Sequence, residues 1–89
     1  MPLPDREPQA HTIDTTGLAC PLPVLKTRKA LIAMAPGEQL ELIATDPLAA
    51  IDIPNFCREA GHRLVDSQVR DGLLHFTIER GTGDAAVVP

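Results

Sequence analysis

The sequence predicts an α+β domain in two layers. The order is strand, helix, strand, helix, strand, strand, forming a mixed four-stranded sheet with both helices on one face. Three observations lead there. Strand-like and helix-like hydrophobic patterns alternate between residues 11 and 61. Two strand-like runs then meet at Asp71-Gly72, a dipeptide that favours a tight hairpin turn. The chain has 89 residues, 44% of them hydrophobic, enough for one small core and too apolar for a disordered chain.

The first strand is expected at about residues 11 to 16, in "HTIDTTG", where β-branched residues run up to Gly17. "PLPVLKTRKALIAMA" carries the clearest helical period. At about 100° per residue, Val24, Leu25, Leu31, Ile32 and Ala35 share one face, and Pro36-Gly37 ends the helix. "EQLELIAT" alternates and then turns apolar, the pattern of a second strand. Asp46 suits the N-cap of a second helix, with Pro47 as its first residue. Pro54 lies within that helical pattern, so a kink or a split is expected there, with Asp52 able to cap the second part and Gly61 at the C-terminus. "HRLVDSQVR" and "LLHFTIER" supply the hairpin strands. The domain is placed at residues 11 to 80, with loose tails at 1 to 10 and 81 to 89. A strand–helix–strand crossover in one sheet is right-handed, so the first two strands should be parallel.

Composition narrows the function. A net charge of −4 and only two aromatic residues, Phe56 and Phe76, argue against a nucleic-acid surface, which needs basic charge and stacking platforms. No run is long and apolar enough to insert in a membrane. "MPLPDREPQA" lacks the basic start and apolar centre of a signal peptide, so a cytoplasmic location is expected. Two cysteines in that compartment read as reactive or buried thiols rather than a disulfide. The three histidines have no zinc-ligand spacing, and no metal or cofactor is expected.

Cys20 is the candidate for chemistry. It stands just before Pro21, which suits the first helical position, and Pro23, still within the first turn. That placement leaves the Leu22 and Val24 N–H groups free to face the sulfur, and a helix N-terminus favours the reactive thiolate. Gly17 permits a sharp exit from the first strand. The alternative is a small buried hydrophobe, the usual state of a free cysteine. The chain has no Cys-x-x-Cys pair, which disfavours dithiol exchange. Cys57 is placed near the far end of the second helix, roughly 15 Å along the helix direction from Cys20, too far for a disulfide.

Three groups flank Cys20. Leu22, Lys26 and Lys29 share a helix face opposite the apolar stripe, which reads either as a docking patch or as a solvated basic face. Arg28 falls within the expected apolar sector, where it could snorkel along the sheet edge or pair with Asp46 or Asp52. The ends of two parallel strands share an edge, so Asp46 should lie near Cys20, mainly as a cap.

"LACPLPVLKTRKAL" resembles the signature of the TusA/SirA-like sulfur carrier family, Cys-Pro-x-Pro followed by a helix with a basic segment. The likeness continues through "PGEQLELIATDPLAAIDIPNFCREAGHRLV", with its Asp-Pro and Asp-Ile-Pro elements, and covers about residues 11 to 80. The resemblance implies a compact two-layer fold and a cysteine, here Cys20, that accepts sulfane sulfur as a persulfide and hands it on. It further implies a sulfur donor protein, a cysteine desulfurase or rhodanese-like protein, and an acceptor sulfurtransferase. The acceptor could serve tRNA thiolation, molybdenum-cofactor chemistry or sulfur oxidation. The family motif has a basic residue at the position of Arg28, which suggests partner contact or site shaping. Nothing in the sequence demands more than a monomer. A non-enzymatic interaction module docking through the start of the first helix is the competing reading. A small thiol-dependent reductase or peroxidase would need a resolving thiol or a base near Cys20.

Overall fold

The computed structural model describes residues 10 to 82, so most of the two expected tails lies outside the described residues. Strands are β1 (Ala10–Thr15), β2 (Gln39–Ala44), β3 (Arg63–Arg70) and β4 (Leu73–Glu79); helices are α1 (Leu22–Ile32) and α2 (Ala49–Ala60). The sheet order is β1-β2-β4-β3. β1 and β2 are parallel, and both pairs involving β4 are antiparallel. The two-layer mixed sheet expected from the sequence is the fold observed.

The core lies between the sheet and the helices. Leu40, Leu42 and Ala44 of β2 and Phe76 and Ile78 of β4 point inward with the two-residue period of a half-buried sheet. Leu31 of α1 and Ala49, Ile53, Phe56 and Cys57 of α2 close over them. Each large side chain buried this way contributes about 1.5–3 kcal/mol before the entropy of ordering it. Asp71 and Gly72 take φ of 53° and 78°, the left-handed pair that a two-residue hairpin turn requires. Gly61 caps α2 at φ 84°, and the following His62 N–H donates to the Cys57 carbonyl.

Two expectations are corrected. The buried face of α1 is Pro23, Thr27 and Leu31, with Met34 just beyond the helix, and not the face through Leu25 and Ile32. Leu25 is 51% exposed and Ile32 64%. The burial is turned by about a quarter of the helix from the expected stripe. The reason is Thr27, whose hydroxyl donates to the Pro23 carbonyl at 2.7 Å and so is satisfied inside the core, where periodicity alone excludes a polar residue. Second, α2 is not split at Pro54. It runs unbroken from Ala49 to Ala60 with Pro54 inside it, and Asp52 lies in its first turn rather than capping a second segment.

Candidate functional site

Because β1 and β2 are parallel, both strands end at one edge of the sheet, and α1 and α2 both begin there. β4 starts at the same edge, since Ala44 pairs with Leu74. Two loops therefore meet: residues 16 to 21, between β1 and α1, and residues 45 to 48, between β2 and α2. Side-chain bonds stitch them together. The Gly17 N–H donates to the Thr45 hydroxyl at 2.8 Å, and the Cys20 N–H donates to Asp46 Oδ2 at 2.8 Å. Thr15, buried at the end of β1, donates its hydroxyl to the Ile43 carbonyl at 2.6 Å. Gly17 takes φ 83°, a left-handed conformation that a side chain would strain even though the space around it is open.

Cys20 sits half-buried on this stitched platform. The peptide bond from Cys20 to Pro21 is cis. Pro21 is the residue before α1 rather than its first member; its carbonyl accepts the Leu25 N–H at 3.0 Å, and Pro23 is the proline inside the first turn. The Leu22 N–H is not free to face the sulfur, because it donates to the Ala19 carbonyl at 2.9 Å. That removes one of the donors on which the expected thiolate stabilisation rested.

The electrostatics run opposite to the helix-dipole expectation. Partial burial pushes the Cys20 thiol above its ordinary value, a hydrogen bond to the Asp52 carboxylate adds to it, and the charges of Asp46 and Asp52 push the same way. Asp46 Oδ1 accepts the Leu48 N–H at 2.9 Å while Oδ2 holds Cys20. These two backbone donors, that of Cys20 foremost, hold the Asp46 carboxyl below the usual carboxylate range. Asp46 thus shapes the β2–α2 loop and fixes the cysteine's backbone at once, but it is not the expected N-cap: Leu48 holds that position, Pro47 lies in the loop, and α2 begins at Ala49.

Asp52 is the site residue that sequence reading missed. Its signal was its position: it follows Ala49 by three residues and precedes Phe56 by four, at the margin of the buried face of α2, in the turn nearest Cys20.

Leu22, Lys26 and Lys29 are all exposed on α1, with Leu22 at 45%. Arg28 is exposed as well and makes no ion pair with Asp46 or Asp52, which corrects its expected place on the buried face. Leu48 and Ile51, 54% and 60% exposed, open α2 beside the same edge. Cys57 is a free thiol in the core.

The family model described as sulfurtransferase TusA matches residues 11 to 80. The chain belongs to the sulfurtransferase TusA family. Among TusA-family relatives, the sulfur carrier protein TusA of Allochromatium vinosum is 41% identical over 68 residues, covering 76% of this chain and 90% of that one. A protein of Neisseria meningitidis serogroup A is 43% identical over 70 residues, covering 79% of this chain and 95% of that one. The crystal structure of the SirA-like protein of Desulfitobacterium hafniense superposes with a TM-score of 0.71 at 25% identity, covering 79% of this chain and 96% of that one. The TusA-family match spans both loops of the platform and both cysteines.

Proposed function

We propose that this TusA-family protein is a sulfur carrier whose cargo rides on Cys20. Loading is a transfer between sulfur atoms. The Cys20 thiolate attacks the outer sulfur of a donor persulfide, a bond from Cys20 Sγ to that sulfur forms, and the bond to the donor's own sulfur breaks. The donor leaves as a thiolate and takes up a proton. Delivery repeats the exchange with an acceptor thiol. No net oxidation occurs in either step.

The observation that carries this reading is a thiol presented at an open edge on a rigid platform, in a family whose A. vinosum member is named a sulfur carrier. An edge site suits cargo that two proteins must reach in turn. Cys57 is 2% exposed, so it offers no resolving thiol in the folded chain. The partners are a donor protein and an acceptor protein, of the desulfurase or rhodanese type and the sulfurtransferase type respectively. Leu22, Lys26, Arg28 and Lys29 on α1 are proposed as their contact surface, continued across the site by Leu48 and Ile51. An exposed apolar strip rimmed by cations beside a reacting group is what a transient protein interface uses.

Intact mass measurement tests the reading. The reduced protein, incubated with a sulfane-sulfur donor, should gain one sulfur atom that a reductant removes and that Cys20→Ala never gains. Failure of the wild type to load, or equal loading of Cys57, would refute it.

A further inference from the structure

Cys20 is reached through two consecutive tight turns. In the first, Thr15 to Leu18, the Leu18 N–H donates to the Thr15 carbonyl at 3.1 Å. Thr16 keeps a negative φ and Gly17, at the third position, takes φ 83°, which makes this a type II turn. In the second, Ala19 to Leu22, the Leu22 N–H donates to the Ala19 carbonyl. The inner N–H groups of both turns find partners outside them. That of Thr16 goes to Asp14 Oδ1 at 2.9 Å, that of Cys20 to Asp46, and that of Gly17 to the Thr45 hydroxyl.

The Gly17 bond selects a conformation. Type I and type II turns differ by about a half-rotation of their central peptide, here Thr16–Gly17. In the alternative turn the Gly17 N–H would point away from Thr45. Glycine accepts both arrangements. Packing does not choose between them, since beyond its chain neighbours no atom lies within 4 Å of the place a Cβ on Gly17 would take. The Thr45 hydroxyl does choose, because only one orientation of the peptide reaches it. Thr45 is itself well held. It follows Ala44, which is buried and pairs with Thr15 across the parallel strands. It precedes Asp46, whose carbonyl and carboxylate accept the Ala49 and Leu48 N–H groups. Its branched Cβ restricts the direction of the hydroxyl further.

We propose that Thr45 is a positioning residue: its hydroxyl holds the Thr16–Gly17 peptide in one orientation and so gives Cys20 a single course on which a docked protein meets its sulfur. This rests on the carrier reading of Cys20. Sulfur passes between two docked proteins only when the attacking sulfur and the breaking sulfur–sulfur bond are aligned, and docked partners cannot turn freely to correct an error. A small donor approaches from any open side and is indifferent to the course of the loop. Asp46 holds the Cys20 end of that loop and Thr45 its Gly17 end, so neighbouring residues of one loop govern both turns of the other.

The test compares Thr45→Val, which keeps the shape and removes the hydroxyl, with Thr45→Ser, which keeps the hydroxyl. Thr45 is exposed, so both variants should melt close to wild type. One hydrogen bond of ordinary net strength shifts an equilibrium roughly fivefold. By NMR, the Gly17 amide of Thr45→Val should therefore exchange its hydrogen with solvent roughly fivefold faster than in wild type, and that of Thr45→Ser at the wild-type rate. Each protein is then charged by polysulfide and, separately, by a rhodanese loaded with thiosulfate at rising concentration. Thr45→Val should lower the maximal rate from rhodanese roughly two- to fivefold and leave the half-saturating concentration in place. Polysulfide should charge it at the wild-type rate, and Thr45→Ser should match wild type with both donors. Unchanged Gly17 exchange in Thr45→Val, or a serine variant that behaves like the valine one, would overturn the pinning. A raised half-saturation at full maximal rate would make Thr45 a contact residue instead, and equal slowing with polysulfide would mean that it acts on the thiol itself; either overturns the positioning role. Wild type that polysulfide never charges would overturn the carrier reading, while Gly17 exchange would still decide the pinning.

Discussion

Raising the pH should destabilise this domain through a cysteine far from the reacting edge. Cys57 lies in α2 among Ile53, Phe56 and the inward face of the sheet, and burial pushes its thiol from 9.0 up to about 11. The sign follows from proton binding. Between those two values the unfolded chain has lost the thiol proton and the native chain still holds it. The unfolded state then binds fewer protons, so unfolding free energy falls as pH rises. Below the ordinary thiol value the contribution is fully present. The slope is about 1.4 kcal/mol per pH unit for one group, or roughly 3 kcal/mol across the window. A domain of this length has only about 4–10 kcal/mol in total, so the loss is a large share of it. Urea unfolding of wild type and Cys57→Ala at pH 7, 9, 10 and 11 isolates the term. The alanine variant loses on the order of 1 kcal/mol at every pH from the missing sulfur, while the wild type alone carries the alkaline slope of this group. The two curves should converge above pH 9 and cross near about pH 10, with the wild type below the alanine variant by pH 11. Curves that stay parallel would refute the argument. The same burial denies the Cys57 thiol to sulfane donors at neutral pH.

Leu22→Glu should leave loading of Cys20 by a small sulfane donor unchanged and slow loading by a protein donor, read by intact mass over time; equal slopes with both donors would remove α1 from the interface. Arg80→Ala should lower stability by about 2 kcal/mol, since its Nε donates to the Leu31 carbonyl at 2.9 Å at the C-terminal end of α1. For a domain of this size that is a fall in Tm of about 10 °C by calorimetry. Arg63→Ala, which removes only a solvent-exposed pair with Glu79 at 3.4 Å, should shift Tm by a degree or two at most; equal shifts would show that the Arg80 contact contributes nothing special.

The layered fold and its hairpin were legible because local signals and tertiary packing agree there. Asp71-Gly72 needs left-handed backbone whatever surrounds it, and β2 alternates because one of its faces is wet. The insertion of β4 beside β2 was not readable, since no local signal distinguishes which strand of a hairpin joins a parallel pair. The buried face of α1 is not legible from hydrophobicity alone. Thr27 enters the core with its hydroxyl satisfied by Pro23, and Leu25 and Ile32 face outward. Pro54 lies early enough in α2 for the helix to run through it, which leaves Asp52 in the first turn with no second segment to cap. At the site, Cys20 could be singled out from its proline neighbours, but its hydrogen bonds could not. The partner of Cys20 N–H comes from a residue 26 positions away, and the Leu22 N–H is taken by a local turn.

By itself the start of α1 would activate Cys20; the assembled site sets carboxylates against it, and a comparison of strengths explains why they prevail. A helix terminus supplies about half a charge, spread over N–H groups, one of which is already bonded to Ala19. Against it stand partial burial, foremost, and the negative charges of Asp46 and Asp52. The fold therefore contributes position to Cys20 and withholds activation. For a proposed carrier that division is functional. An activated thiolate on an open edge would react with any oxidant or electrophile, and its persulfide would be discharged by any small thiol. A thiol held protonated on a rigid platform reacts slowly alone. Its reactivity then depends on the partner it meets, so in the carrier reading specificity lies in the encounter and not in the cysteine.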